Sequence, residues 1–253
     1  MTAFVIPDLH GRTCWQAPAQ QFLDTHSLAD QVIFLGDYVD SFEVSHEQQL
    51  NNFTDIIAFK KANPDRVVLL LGNHCFQYLY LSVVKCFGFN EDLYPVLHML
   101  YKLHIDYFQV AYQRGQTLFL HAGVSQAWLT RHADKISQQQ QALETAAQPA
   151  QLADVLNSLL RSSEGPTLLW EVGPEHGGSD PLDGPVWVRP AELKVDLPPG
   201  LTQVVGHTHV REITEVRDEM TGGRLILTDC LSMKTDFLIL NIDITASLHK
   251  PAC

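Results

Sequence analysis

Short apolar runs broken by Gly or Asp open the chain. Ala3–Pro7, Gln31–Leu35 and Arg66–Leu71 are rich in Val, Ile and Leu, and each stops at a Gly or Asp; they read as buried strands. Between the second and third, Leu50, Phe53, Ile56, Ile57 and Phe59 recur at helical spacing, which predicts a helix over Gln48–Lys61. Strand, helix, strand points to a β-α-β unit and a parallel sheet. Leu93, Val96, Leu97, Leu100 and Leu103 predict a helical stretch over 91–108, read as an insertion or cap. Thr117–Leu120 is a further buried strand, and Ala127–Arg161 reads as helical, with the Gln138–Gln141 run on a solvated face. Residues 162–200 are rich in Gly and Pro and read as a long loop. Four strand-like runs follow: Gln203–Val205, Glu212–Val216, Leu225–Thr228 and Phe237–Ile244. Their short connections predict a more antiparallel second half.

Composition narrows the class. The chain has 253 residues, 45% hydrophobic and 18% charged, which is the balance of a globular protein. It reads as one domain over 1–253, with the helical insertion at about 76–110. With 17 Lys+Arg against 29 Asp+Glu, the net charge is −12, which makes nucleic acid an unfavourable partner. No stretch approaches the ~18 apolar residues of a membrane span. The first ten residues lack a basic region and carry Asp8, unlike a signal peptide. Five cysteines at irregular spacing include no CxxC pair, so the expected location is the cytoplasm with reduced thiols.

The chemistry sits where the strands end. The runs stop at Asp8-Leu9-His10-Gly11, Gly36-Asp37-Tyr38-Val39-Asp40, Gly72-Asn73-His74, His121-Ala122-Gly123 and Gly206-His207-Thr208-His209. Ligands of open α/β sheets bind beyond the carboxyl ends of the strands. Five such ends deliver oxygen and imidazole donors, without thiolate, to one edge. This set suits Mn, Fe or Zn at a hydrolytic site.

In that order, D-x-H, G-D-x-x-D, G-N-H, H-x-G and G-H-x-H, the chain resembles the calcineurin-like metallophosphoesterases from Asp8 to His209. The wording of the motifs is closest to the bacterial branch of serine/threonine protein phosphatases and dinucleoside polyphosphate hydrolases. Val186-Trp187-Val188-Arg189 resembles a W-x-R element of that branch. The resemblance implies a four-layer α/β/β/α sandwich and a phosphoesterase using two metal ions, Mn first, with Fe or Zn as alternatives. It implies that Asp8, His10 and His209 hold one metal, that Asn73, His121 and His207 hold the other, and that Asp37 bridges them. A metal-bridged hydroxide would attack phosphorus in line. His74 would serve the leaving group, with Asp40 behind it, and Asn73 would also face the substrate.

The chain departs from that branch in two places. Ser41 stands where the protein phosphatases usually have Arg, and Cys75 where they usually have Glu. Arg189 and Arg12 are the candidates for the missing phosphate contact. Trp15, Tyr38, Phe42, Phe76 and Tyr78 read as core aromatics or pocket walls, and His98, His104, His132 and His176 as structural histidines. The leading expectation is a phosphomonoesterase whose substrate is a phosphorylated small molecule or phosphoprotein. Dinucleoside polyphosphate hydrolysis, phosphodiester hydrolysis and a non-catalytic scaffold are the alternatives.

Overall fold

The computed structural model describes residues 1–80, 85–143 and 150–242. In order, the elements are β1 (Thr2–Ile6), α1 (Gln16–Thr25), β2 (Gln31–Phe34), α2 (His46–Ala62), β3 (Val67–Leu70), α3 (Asn73–Tyr80), α4 (Tyr94–Leu103), β4 (Phe108–Gln109), β5 (Ala111–Arg114) and β6 (Thr117–Leu120). The helices α5 (Gln126–Arg131), α6 (Ala133–Leu143), α7 (Leu152–Arg161), α8 (Gly165–Trp170) and α9 (Pro190–Leu193) follow. The strands β7 (Thr202–Val205), β8 (Thr214–Arg217), β9 (Arg224–Leu227) and β10 (Leu238–Asn241) come last.

The strands form two five-stranded sheets, ordered β10-β1-β2-β3-β4 and β5-β6-β7-β9-β8. Successive side chains of a strand point to opposite faces, and both faces here are apolar. Ala3, Val5, Ile33, Leu35, Val68 and Leu70 of the first sheet pack against Phe119, Val204 and Ile226 of the second. Their neighbours Phe4, Ile6, Val32, Phe34, Val67 and Leu69 point the other way and join the larger core that includes the helices. This is the expected mixed α/β arrangement of two sheets with helices.

The second half is less antiparallel than its short connections suggested. β6, β7 and β9 run parallel, and only the edge strands β5 and β8 pair antiparallel. β8 is laid outside β9, so the chain returns to the sheet beside β7 in the same direction. β10 leaves this sheet altogether and pairs antiparallel with β1. The short strands β4 and β5 and the helix α1 were not foreseen. The inward face of α1 is only Ala19, Phe22 and Leu23, too brief for a periodic signal. The chain changes sheets between β4 and β5, where Asn157 Oδ1 accepts from the Val110 and Ala111 amides at 2.9 and 3.1 Å.

Residues 162–200 are not a plain loop, since they contain α8 and α9. Pro166 and Pro190 sit in the first turns of these helices, where the missing N–H costs nothing, so the prolines read as breaks are starts. The helical reading of Ala127–Arg161 is realised as α5, α6 and α7, with residues 144–149 outside the described residues. Likewise, the last two positions of the Phe237–Ile244 strand reading, and Cys253, lie outside them. No helix among the described residues is long and apolar enough to cross a membrane.

In the first sheet β1, β2 and β3 are parallel, as are β6, β7 and β9 in the second. All six strands therefore deliver their carboxyl ends to a common region. A plug of aromatics backs it: Phe53 is fully buried, with its ring centroid 4.6 Å from Tyr101 and 5.5 Å from Tyr38. Phe53→Ala is expected to cost ~3–5 kcal/mol, the usual range for a buried Phe. Urea denaturation will read this as a lower midpoint at unchanged slope, and a loss under about 1 kcal/mol would mean that the plug closes over the gap.

Candidate metal centre

The turns that leave the strands are tied to one another before any side chain is considered. The Asp37 carbonyl accepts from the Leu9 and His10 amides at 3.1 and 2.9 Å, and the Tyr38 carbonyl accepts from Gly11 at 2.8 Å. The Gly206 amide donates to the His121 carbonyl at 2.9 Å. Among the described residues, the non-glycine positions with left-handed backbone are His10, Asp37, Asp40 and His207, with φ of 44°, 47°, 69° and 61°. All four are candidate site residues. Such conformations cost free energy and persist where the surroundings over-determine them. Two glycines allow the approach. A Cβ at Gly72 would lie 2.1 Å from Asp37 Oδ1, and one at Gly206 would lie 2.2 Å from Asp8 Oδ1.

An open cleft of about 400 Å³ forms here, lined by Asp8, His10, Asp37, Asn73, His74 and His207, with Arg189, Thr208 and His209 at its wall. His121 lies buried beneath it. Its Nδ1 is 3.0 Å from the Leu35 carbonyl, which can only accept, so that nitrogen carries a hydrogen and Nε2 is the one left to face the cleft's other donors. The same logic holds for His207, whose Nε2 is 3.0 Å from the Trp187 carbonyl, leaving Nδ1 bare. Burial, and then the neighbouring His121, pushes the His207 pKa far below its usual value, so this ring is neutral. His121 Nε2 and His207 Nδ1 face each other at 3.1 Å.

Asn73 turns its amide nitrogen to Cys86 Sγ at 3.2 Å, which directs its Oδ1 at His121 Nε2, 2.9 Å away. Asp37 Oδ2 is 3.3 Å from the same nitrogen. Asn73 Oδ1, Asp37 Oδ2 and His207 Nδ1 thus converge on His121 Nε2, the nitrogen that the Leu35 contact leaves free. A single cation would satisfy all four, and these donors suit Mn, Fe or Zn.

Asp37 also belongs to a second grouping. One ligand atom each from His10, Asp37 and His74 lie within 4.8 Å of one another. His10 Nδ1 is 2.7 Å from the Val39 carbonyl, so its Nε2 is the free acceptor. Burial, then His74, lowers the His10 pKa to about 4 and keeps the ring neutral. Three carboxylates crowd this side. Asp8 is raised well above the usual carboxylate range by burial and then by Asp229 and Asp37. Asp229 is pushed up to about 7, again chiefly by burial. Asp37 goes the other way: burial would raise it, but positive charge on the facing imidazoles, His121 first and then His74, outweighs that and lowers it. Burial disfavours ionisation of Asp8 and Asp229, and a positive partner would offset that cost.

The remaining candidates fall into place around these groupings. His74 lies in the first turn of α3. Its backbone amide donates to Asp37 Oδ1 at 3.0 Å, and its ring Nδ1 is 2.8 Å from Asp40 Oδ2. Asp40 is held from three sides, by Gln77 and Tyr78 of α3 and by Gln49 of α2, whose Oε1 accepts from the Asp40 amide at 2.8 Å. Burial opposes charge on His74, but Asp37 and Asp40 outweigh it and raise its pKa above the usual 6.5.

Arg189 reaches the cleft wall, where it donates to the His207 carbonyl at 3.0 Å and Thr208 Oγ1 at 3.1 Å. Arg12 does not line the cleft; it bonds the Leu9 carbonyl at 3.3 Å and sits 3.6 Å from Glu43. His209 is on the rim, its side chain 64% exposed and paired at 3.4 Å with Asp229. Among the described residues it is His74, and not His209, that shares a grouping at ligand distance with His10 and Asp37.

Trp15, Tyr38, Phe76 and Tyr78 are buried core, whereas Phe42 is exposed and packs on the exposed Phe87, ring centroids 5.0 Å apart. Cys75 is fully buried, and burial pushes its thiol up to about 12. His176 is not isolated: its Nδ1 is 2.6 Å from Asp183, with Glu192 in the same grouping.

Residues 1–211 match the family model described as calcineurin-like phosphoesterase. The chain belongs to that family. It is a metal-dependent phosphoesterase. Among solved structures, two of a cold-active protein tyrosine phosphatase share its fold. One, a point mutant, has a TM-score of 0.54 at 17% identity, over 94% of this chain and 74% of that one. The other has a TM-score of 0.52 at 18% identity, over 94% and 73%. A serine/threonine phosphatase from Saccharomyces cerevisiae is more distant, with a TM-score of 0.44 at 14% identity over 90% and 67%. Among curated proteins, none matches the chain.

Sequence reading missed Asp229. It follows β9 in Leu227-Thr228-Asp229, a strand-end carboxylate like Asp8 and Asp37 but without the flanking Gly that marked the others. Gly72→Ala and Gly206→Ala are expected to displace Asp37 and Asp8 and to weaken metal binding by about 10–100-fold, the range for disturbing the support of a ligand. Equilibrium dialysis against Mn checks this, and unchanged affinity in both variants would show that the glycines are not needed for the approach.

Proposed function

We propose that the chain is a phosphomonoesterase working with two cations that share Asp37. The observation that carries this reading is the convergence of Asn73, His121 and His207 on one side of Asp37, with His10 on its other side. Asn73, His121 and His207 would hold one cation, and Asp8, His10 and His209 the other. Bound there, the cations would lower the pKa of a water and neutralise charge on the phosphoryl oxygens.

The chain's own groups supply the rest. His74, raised toward its protonated form by Asp37 and Asp40, donates its proton to the leaving-group oxygen. Asp40 fixes which ring nitrogen is held and steadies the charge. Arg189 uses one nitrogen to hold the segment after β7 and keeps its others for phosphoryl oxygens. Arg12, tied to Leu9 and Glu43 outside the cleft lining, is the weaker candidate for that contact. Asn73 lines the cleft as well and would meet the substrate. Two structures of this fold carry the name protein tyrosine phosphatase, which makes a phosphoprotein the first natural substrate class to test.

The test reloads metal-stripped protein with Mn and assays nitrophenyl phosphate, its bis-nitrophenyl diester and a dinucleoside polyphosphate. Monoester preference is expected, with His74→Ala lowering kcat by about 10²–10⁴-fold. Preference for the diester or the dinucleotide would replace this reading with the corresponding one. Silence on all three with two metals bound would favour a scaffold. Arg189→Ala is expected to raise KM for the monoester, and unchanged KM and kcat would remove it from the phosphate contact.

The pH dependence follows from the same geometry. A general acid works while protonated, so kcat/KM should fall as pH rises through the raised pKa of His74. Asp40→Asn removes a charge that raises it, and the alkaline limb should move to lower pH. A limb that stays in place would show that another group sets it.

A further inference from the structure

We propose that Phe42 and Phe87 are specificity-determining residues: they form an apolar platform on the His74 side of the cleft that takes the ring of an aryl phosphate, such as a phosphotyrosine side chain, in preference to an alkyl phosphate. This deepens the phosphomonoesterase reading and rests on it.

Both phenylalanines are tied to the groups that hold the cleft. Asn73 and His74 line it side by side. Asn73 donates to Cys86 Sγ at 3.2 Å, and Phe87 is the next residue. His74 Nδ1 is 2.8 Å from Asp40 Oδ2, and Phe42 follows two residues later, at most ~7 Å along the chain. The two phenyl rings meet with centroids 5.0 Å apart. His74 is the proposed proton donor to the leaving group, so the leaving group departs on the side that these two segments border.

The platform is held in place although it faces water. Phe42 is 73% exposed and Phe87 86%. Single exposed hydrophobics are ordinary, but a contiguous pair beside a polar cleft marks a contact surface. The Ser41 amide donates to Gln49 Oε1 at 3.1 Å, and Ser41 Oγ accepts from the Glu43 and Val44 amides, both at 3.1 Å. Gly88, with φ of 96°, makes room for the ring: a Cβ there would lie 3.2 Å from Phe42 and 3.5 Å from the Asp40 carbonyl. Phe42 can therefore seat against the backbone that carries Asp40.

Charge narrows the leaving group. The loop Ser41-Phe42-Glu43-Val44-Ser45 carries Glu43 and no cation. Arg12 is paired with Glu43 at 3.6 Å. Lys85 is 3.5 Å from Glu91 and lies over the Phe89 ring, 4.2 Å from its centroid. A polyphosphate leaving group would thus meet no free cation beside the two rings among the described residues. A neutral aromatic ring would meet two phenyl groups, a favourable contact in stacked or edge-on geometry. The short alkyl group of a phosphoserine has no ring to offer.

The test uses Mn-loaded full-length protein and two peptides of one sequence, carrying phosphotyrosine or phosphoserine. The wild type should favour phosphotyrosine in kcat/KM. Phe42→Ala and Phe87→Ala should each lower that preference by about 2–10-fold, through KM, the scale of one ring–ring contact. Phe42→Tyr should retain it. Comparing variants cancels the different intrinsic reactivities of the two esters. Calorimetric binding of benzylphosphonate against ethylphosphonate makes the same comparison without turnover, and the benzyl preference should fall in parallel. A preference unmoved in both Ala variants, or equal losses on both peptides, would overturn the platform alone. A dimer in sedimentation velocity that Phe42→Ala dissociates, with the preference unmoved, would give the patch to a second copy of the chain instead. No turnover of either peptide or of nitrophenyl phosphate by the wild type would overturn the phosphomonoesterase reading beneath it.

Discussion

The nitrogens that His121 and His207 leave free face each other at 3.1 Å, and the centre is built around that contact. Leu35 and Trp187 create the contact, because their carbonyls claim the other nitrogen of His121 and His207. Asn73 and Asp37 add two more acceptors to the same point. A positive charge where these four atoms meet would offset the negative and polar atoms gathered there. A cation that binds the folded arrangement and not the unfolded chain contributes its binding free energy to folding. The site bridges the two sheets, since Asp37 follows a strand of one and His121 and His207 follow strands of the other.

The backbone is strained where the side chains converge. His10, Asp37, Asp40 and His207 adopt a conformation that L-residues disfavour, and Gly72 and Gly206 remove side chains that would collide with the carboxylates. Two apolar cores offset this strain. One fills the space between the sheets and the other lies under the helices, and neither contains a ligand. Rigid strands carry the ligands to the edge, and the turns only aim them.

The segment from Gly184 to Arg189 joins positioning to chemistry. The Trp187 carbonyl sets the tautomer of His207, and Arg189 reaches over the same histidine's backbone to the cleft wall. The Gly184 carbonyl accepts from the Trp187 amide at 2.9 Å, so the turn is closed on itself. Movement of this turn would disturb His207 and the cleft's arginine together.

The sequence by itself determined the parallel unit of the first sheet and the strand ends that carry Asp8, Asp37, Asn73, His121 and His207. Strand burial and turn chemistry are local, so a run of Val, Ile and Leu ending in Gly-Asp or Gly-Asn-His declares both at once. The order of the second sheet was decided only by tertiary structure. Whether β8 lies between β7 and β9 or outside them depends on pairing energies between distant segments, which short connections do not encode. Asp229 was hidden for the same reason, since a carboxylate after an ordinary strand becomes a site residue only when that strand lies beside β7. The tautomers of His10, His121 and His207 are the last such case. Each is set by a carbonyl distant in sequence, from Val39, Leu35 and Trp187, and hydrogen bonds of that kind exist only once the chain has folded.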